Sequence, residues 1–133
     1  MIESVGTAET HDLSTTFLHL GVTEAVTALP VGPDFWANMP PILSSGRMVS
    51  LLKYDVDWQV WERHPLGDEV IIQFSGRMRV HLNLLDGETV VDLLAGRYVI
   101  VPKNIWHTAD VSEPSSAIYI TDGRGTEHRA RAV

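Results

Sequence analysis

The chain has 133 residues, 10 Lys and Arg against 17 Asp and Glu, and no Cys. Its length suits one domain with a real hydrophobic core, and the missing thiols exclude disulfides, thiolate metal sites and Cys nucleophiles. A formal net charge of −7 with no Lys/Arg block gives no footprint for phosphates, so nucleic acid and anionic membranes are not expected partners.

No apolar run approaches the ~20 residues needed to span a bilayer. Met1 to Gly6 lacks the basic region and apolar stretch of a signal peptide. The expectation is a cytoplasmic protein.

Residues 1–12 are polar and without period, which predicts a loosely ordered start. Phe17–Leu20 and Ala25–Pro30 read as short strands around a turn at Gly21. Pro33 to Met39 suits a short helical turn stopped by Pro40-Pro41. Residues 13–46 thus form an N-terminal arm. From Arg47 the pattern is β: Met48–Tyr54, Trp58–His64, Glu69–Phe74, Met78–Leu84, Thr89–Leu93, Tyr98–Val101 and Ala117–Thr121. Turns are expected at Pro65–Asp68, Ser75-Gly76 and Asp86-Gly87. Short strands divided by Gly, Pro and Asp turns predict a sandwich or barrel over residues 47–122, with 123–133 as a C-terminal tail.

Trp61 to Gly76 carries the chemistry. Glu62 and His64 stand two apart on a strand and so face the same side. Glu69 opens the next strand, and antiparallel neighbours lie about 5 Å apart. His107 follows in a similar context, after Gly96 and Pro102. Imidazole with carboxylate suits Fe, Mn, Ni, Zn or Co as the divalent ion, and two His with one carboxylate and open positions is the arrangement of non-haem iron oxygenases. Tyr54 and Trp58 share parity with Glu62 and could wall a cavity or pack in the core. Gln73 is a polar residue in an apolar strand and requires a partner if buried; it could line the pocket as a substrate contact or make a core or interface hydrogen bond. His81 shares a polar row with Arg77, Arg79 and Asn83, which could be solvated or bring His81 into the pocket lining. The tail holds a second Glu/His pair, Glu127 and His128, which could fold across the barrel mouth.

His64, four residues, Glu69, six residues, Gly76, together with Gly96, five residues, Pro102, four residues, His107, resembles the two motifs of the cupin family, specifically its small single-domain bacterial members. The chain departs from the first motif at Glu62, where the family has His, and at Val56, where it has Gly. In the second motif Asn104 replaces a Gly and Val111 an Asn; Asn tolerates the left-handed conformation that a turn Gly often takes.

The resemblance covers about residues 47–121. It implies an all-β double-stranded β-helix, or jelly roll, and a homodimer formed through N-terminal strands or sheet edges. It also implies a metal held by His64, Glu69 and His107. Glu62 is then a fourth ligand, a general base beside a three-ligand site, or the mark of a lost site. The function expected is a metal-dependent enzyme on a small oxygen-bearing metabolite, dioxygenase-like first, isomerase or lyase next. The alternative is a small-molecule-binding or sensing module without turnover, with or without metal.

Overall fold

The computed structural model describes residues 9–132; residues 1–8 of the expected loose start lie outside them. Nine strands follow in order: β1 (Thr16–Leu20), β2 (Val26–Pro30), β3 (Arg47–Tyr54), β4 (Val60–Arg63), β5 (Glu69–Leu84), β6 (Gly87–Leu94), β7 (Tyr98–Val101), β8 (His107–Thr121) and β9 (Glu127–Ala130). No helix of the described residues is long and apolar enough to cross a membrane.

Every strand pair is antiparallel. The two long strands, β5 and β8, run side by side and belong to both halves of a double-stranded β-helix, the jelly-roll architecture. Residues 69–73 of β5 lie between β7 and the end of β8, which continues through β3 and β1 to β2. Residues 77–84 of β5 lie between β6 and the start of β8, where His107 leads on to β4 and β9.

The change of sheet occurs at bulges between Gln73 and Met78. The expected Ser75-Gly76 turn is therefore a bend inside one continuous strand. Gly76 sits there at φ +73°, a conformation that costs a side-chain-bearing residue about 1–2 kcal/mol. A Cβ at this position would also run into the Pro114 carbonyl and Ser115. Extra residues at a bulge shift the alternation. Glu69, Ile71 and Gln73 face inward before it, and Met78, Val80 and Leu82 face inward after it.

Ile71, Met78, Val80 and Leu82, with Leu93, Val101, Ala109, Val111, Ala117, Tyr119 and Trp58, make the main core. A second cluster of Phe17, Leu29 and Phe35 holds the N-terminal arm, with the Phe17 and Phe35 rings edge to face at 5.4 Å. Residues 33–38 form a single helical turn closed by Asn38 N–H to Asp34 C=O, 2.8 Å. The one regular helical segment among the described residues is a 3₁₀ turn at Pro41–Ser44. It starts where a stop was expected, because Pro is tolerated in a first turn, whose N–H groups lack partners anyway.

Candidate metal centre

Glu62 lies in the middle of β4. Its cross-strand partners are His107 on β8 and His128 on β9, so three titratable side chains share one row of the sheet face. His64 follows at the end of β4, and Glu69 opens β5 beyond the Pro65–Gly67 turn. Asn104 stabilises the other side of this turn. It takes φ +64° and donates its N–H to the His64 carbonyl at 2.8 Å.

The four side chains converge. One ligand atom from each of Glu62, His64, Glu69 and His107 lies within 4.8 Å of all the others. Glu69 Oε1 is 3.0 Å from His107 Nε2, and Glu62 Oε1 is 3.2 Å from His64 Nε2. His64 Nε2 lies 3.4 Å from Glu69 Oε2, and His107 Nε2 lies 3.7 Å from Glu62 Oε1. Donor atoms ~2.1 Å from a common ion are about 3.0 Å apart on an octahedral edge and about 3.4 Å apart on a tetrahedral one. The set fits a small divalent ion.

The outer side of each group supports the same reading. His107 Nδ1 is 3.1 Å from the Ile105 carbonyl, which can only accept, so Nδ1 carries the proton and Nε2 is bare. Thr126 Oγ1 donates to the Gly123 carbonyl at 2.7 Å and lies 2.8 Å from His64 Nδ1. With its own proton committed, Thr126 accepts from Nδ1–H, so in the neutral ring His64 Nε2 carries the lone pair. Thr121 Oγ1 donates to Glu69 Oε2 at 2.6 Å. His128 Nε2 lies 2.9 Å from Glu62 Oε2. Such outer partners fix tautomer and ring orientation in metal sites. His64 Nε2, His107 Nε2 and Glu69 Oε1 are buried and have no hydrogen-bond partner. Lone pairs gathered this closely are costly unless a proton or a metal ion is shared among them.

The ionisation equilibria express the same demand. Burial pushes His64 toward its neutral form, but the Glu62 and Glu69 carboxylates beside Nε2 outweigh it and raise the pKa to about 10. Burial pushes the Glu69 carboxyl up, yet His107 and His64 together bring it down to about 2. Glu62 is also lowered: burial opposes this, and the bond to His64 prevails. Without a metal the pocket draws in a proton; a divalent ion serves the same carboxylates without one.

The cluster lies against a cavity of about 510 Å³. Tyr54, Trp58 and Tyr119 line it, and Trp58 and Tyr119 also belong to the main core. Their rings pack in sequence at a tilt, Tyr54 to Trp58 with centroids at 5.6 Å and Trp58 to Tyr119 at 6.3 Å. Burial and then the charges of Glu62 and Glu69 push the Tyr54 phenol up to about 12. Gln73 and His81 are not among the lining residues. Gln73 is buried and gives its amide N–H to the Ser75 carbonyl at 2.8 Å, within the bulge. His81 falls on the outward parity of β5 after the bulge, between Glu88 and Asp110, each at 2.7 Å.

Sequence reasoning did not assign Thr121 and Thr126, and it placed His128 in a tail. Thr and His at the end of a chain carry no signal until β9 is known to pair with β4. The strand is held from outside by Trp106, over which Arg63 and Arg129 stack with guanidinium carbons 4.6 Å and 4.4 Å from the ring centre.

No family model matches the sequence, and no curated protein matches it. Solved structures do match in fold. A cupin-2 domain protein from Shewanella frigidimarina is 24% identical over 56% of this chain and 69% of its own, with a TM-score of 0.50. Bacillus subtilis oxalate decarboxylase, a protein with Mn(II) centres, is 18% identical over 63% of this chain, with a TM-score of 0.55. This chain spans only 23% of that enzyme's length. The shared architecture is the cupin fold.

Proposed function

We propose that this chain of the cupin fold is a metal-dependent enzyme that binds a divalent ion through Glu62, His64, Glu69 and His107 and acts on a small oxygen-bearing metabolite, with dioxygenase-like chemistry first and isomerase or lyase chemistry next. One observation carries the metal reading: four ligand atoms converge, none of them a donor when both rings are neutral, while the opposite atom of each side chain is already bonded. Of the three roles open to Glu62, this favours the fourth ligand. Its Oε1 belongs to the cluster and its Oε2 is held by His128. Two carboxylates favour harder ions, and the Mn(II) centres of the decarboxylase with the same fold support Mn(II) or Fe(II).

A bound ion would supply Lewis acidity and, where redox-active, activation of dioxygen. The protein contributes the rest. Glu62 and Glu69 offset the ion's charge, the aromatic wall of Tyr54, Trp58 and Tyr119 limits water, and the outer hydrogen bonds hold the ligands in place.

Elemental analysis of untagged protein tests the metal reading: about one ion per chain is expected, and its loss in His64→Ala and His107→Ala variants that still fold. Metal-free protein with no thermal stabilisation by Mn, Fe, Ni, Zn or Co would sink it. Oxygen uptake by the loaded protein over a panel of metabolites tests the dioxygenase reading; turnover that persists without oxygen assigns isomerase or lyase chemistry instead.

We also propose a cytoplasmic homodimer, with residues 13–46 as the arm and 47–122 as the barrel. Ala28, Leu18, Val49, Ile120, Val70 and Ile100 pair across six strands in one apolar row. The row lies on the face opposite Ile71 and Tyr119, and such a face favours cover by another surface. Light scattering that gives a monomer mass at micromolar concentration would overturn the dimer.

A further inference from the structure

The walls of the cavity carry a specific charge pattern. None of the seventeen described residues that line it is Lys or Arg, and residues 1–8 and 133 contain neither. The nearby arginines are engaged elsewhere. Arg124, beside the lining residue Gly123, is bound to Asp122 and to the Ser44 carbonyl. Arg131 bonds the Trp58 and Ala109 carbonyls and Asp110. His128 is the one basic side chain at the wall outside the ligand set, and its Nε2 is directed at Glu62.

The rest of the wall is apolar or neutral. Trp36 and Met39 stand at the solvent side, about half exposed. Met48, Leu52, Tyr54 and Trp58 continue inward. Two neutral donors in this wall, Trp58 Nε1 and Tyr119 Oη, are buried without a hydrogen-bond partner. With a divalent ion in place, Glu62 and Glu69 already bring the formal charge of ion and carboxylates to zero. An anionic ligand would then put an unpaired charge into an apolar cavity, which is strongly disfavoured.

We propose that this cavity selects an uncharged, apolar-bodied molecule, of aryl or branched-alkyl type, that presents a neutral oxygen donor such as a ketone or hydroxyl to the metal, and that it rejects carboxylates. This rests on the metal reading above and narrows it to a substrate class. Size agrees: a cavity of about 510 Å³ holds one small ring with substituents.

The test uses two probes of the same body, α-hydroxyacetophenone and benzoylformate. Both offer two adjacent oxygens; only the second is charged at pH 7. Metal content is measured first, on the Mn(II)-loaded full chain, and binding is then followed by quenching of tryptophan fluorescence. The expected result is at least tenfold tighter binding of the neutral probe, with oxalate not binding. Gln59→Lys, at an exposed lining position, should shift the preference toward benzoylformate by several-fold. Equal or tighter binding of benzoylformate by the unaltered chain, or binding of neither probe, overturns the proposal while leaving metal uptake intact. Failure of the chain to take up Mn(II) overturns the metal reading instead.

Discussion

Thr126 sets the chemical state of His64 from 62 residues away. Because the hydroxyl proton goes to the Gly123 carbonyl, the oxygen must accept from Nδ1, and the lone pair of Nε2 is left facing Glu62 and Glu69. His64 directly follows β4 and Thr126 directly precedes β9, and the pairing of those two strands sets them side by side.

Removing that partner should weaken the site without removing a ligand. Thr126→Val keeps the shape and loses the acceptor, so metal affinity should fall about 10- to 100-fold with little change in the metal-free melting temperature. Thr126→Ser should restore most of it. Competition with a chelator measures both; affinity equal to that of the parent chain would remove Thr126 from the site.

Glu62→Gln distinguishes ligand from base. A neutral amide oxygen is a poorer ligand than a carboxylate oxygen, so affinity for Mn(II) should drop at least tenfold, about 1.4 kcal/mol. His128→Ala should give a smaller loss in the same direction. Metal binding unchanged by Glu62→Gln, with turnover lost, would identify Glu62 as a proton carrier beside a three-ligand site.

Gly76→Ala should cost about 3 kcal/mol, combining a left-handed backbone with a clash against the Pro114 carbonyl. Urea unfolding reads this directly. Gly87 also has a positive φ, yet nothing lies within 4 Å of where its Cβ would be, so Gly87→Ala should cost clearly less. Equal losses would show that strain alone matters and that the close approach of β8 does not.

His81 provides a pH-dependent contribution remote from the metal ligands. Burial alone would lower its pKa; the bonds to Asp110 and Glu88 outweigh burial and raise it above 6.5. The stabilisation is therefore complete below pH ~6.5 and is lost as pH rises through the folded value. Asp110 is shifted the other way. Burial opposes the shift, and His81 and then Arg131 lower it, so its contribution is present above pH ~4 and fades as pH falls. The stability difference between the parent chain and His81→Gln should peak between these limits and shrink toward pH 9. A difference flat across that range would contradict the pairing.

The strands with regular alternation were legible, and Tyr98–Val101 matches residue for residue. So was the left-handed Asn104, because a turn that elsewhere takes Gly admits few other residues. The first half of β8 was not legible. Ser112-Glu113-Pro114-Ser115-Ser116 has the composition of a loop, yet it crosses the bend in β5, where Pro is admitted because the ladder is already broken. Nor was β9: Glu127, His128, Arg129 and Ala130 are all exposed, so no burial pattern marks them as a strand. Gln73 keeps the inward parity of Glu69, but its amide serves the Ser75 carbonyl in the bulge; His81 lies on the outward parity beyond the bulge, between Glu88 and Asp110, so neither reaches the cavity.

The order of these pieces along the chain has a consequence in time. During synthesis Glu62, His64, Glu69 and His107 all precede Thr121, Thr126 and His128. On the proposed metal reading, a growing chain holds all four candidate ligands before it holds the hydroxyls and imidazole that aim them. Full metal affinity then comes only when β9 emerges and closes against β4.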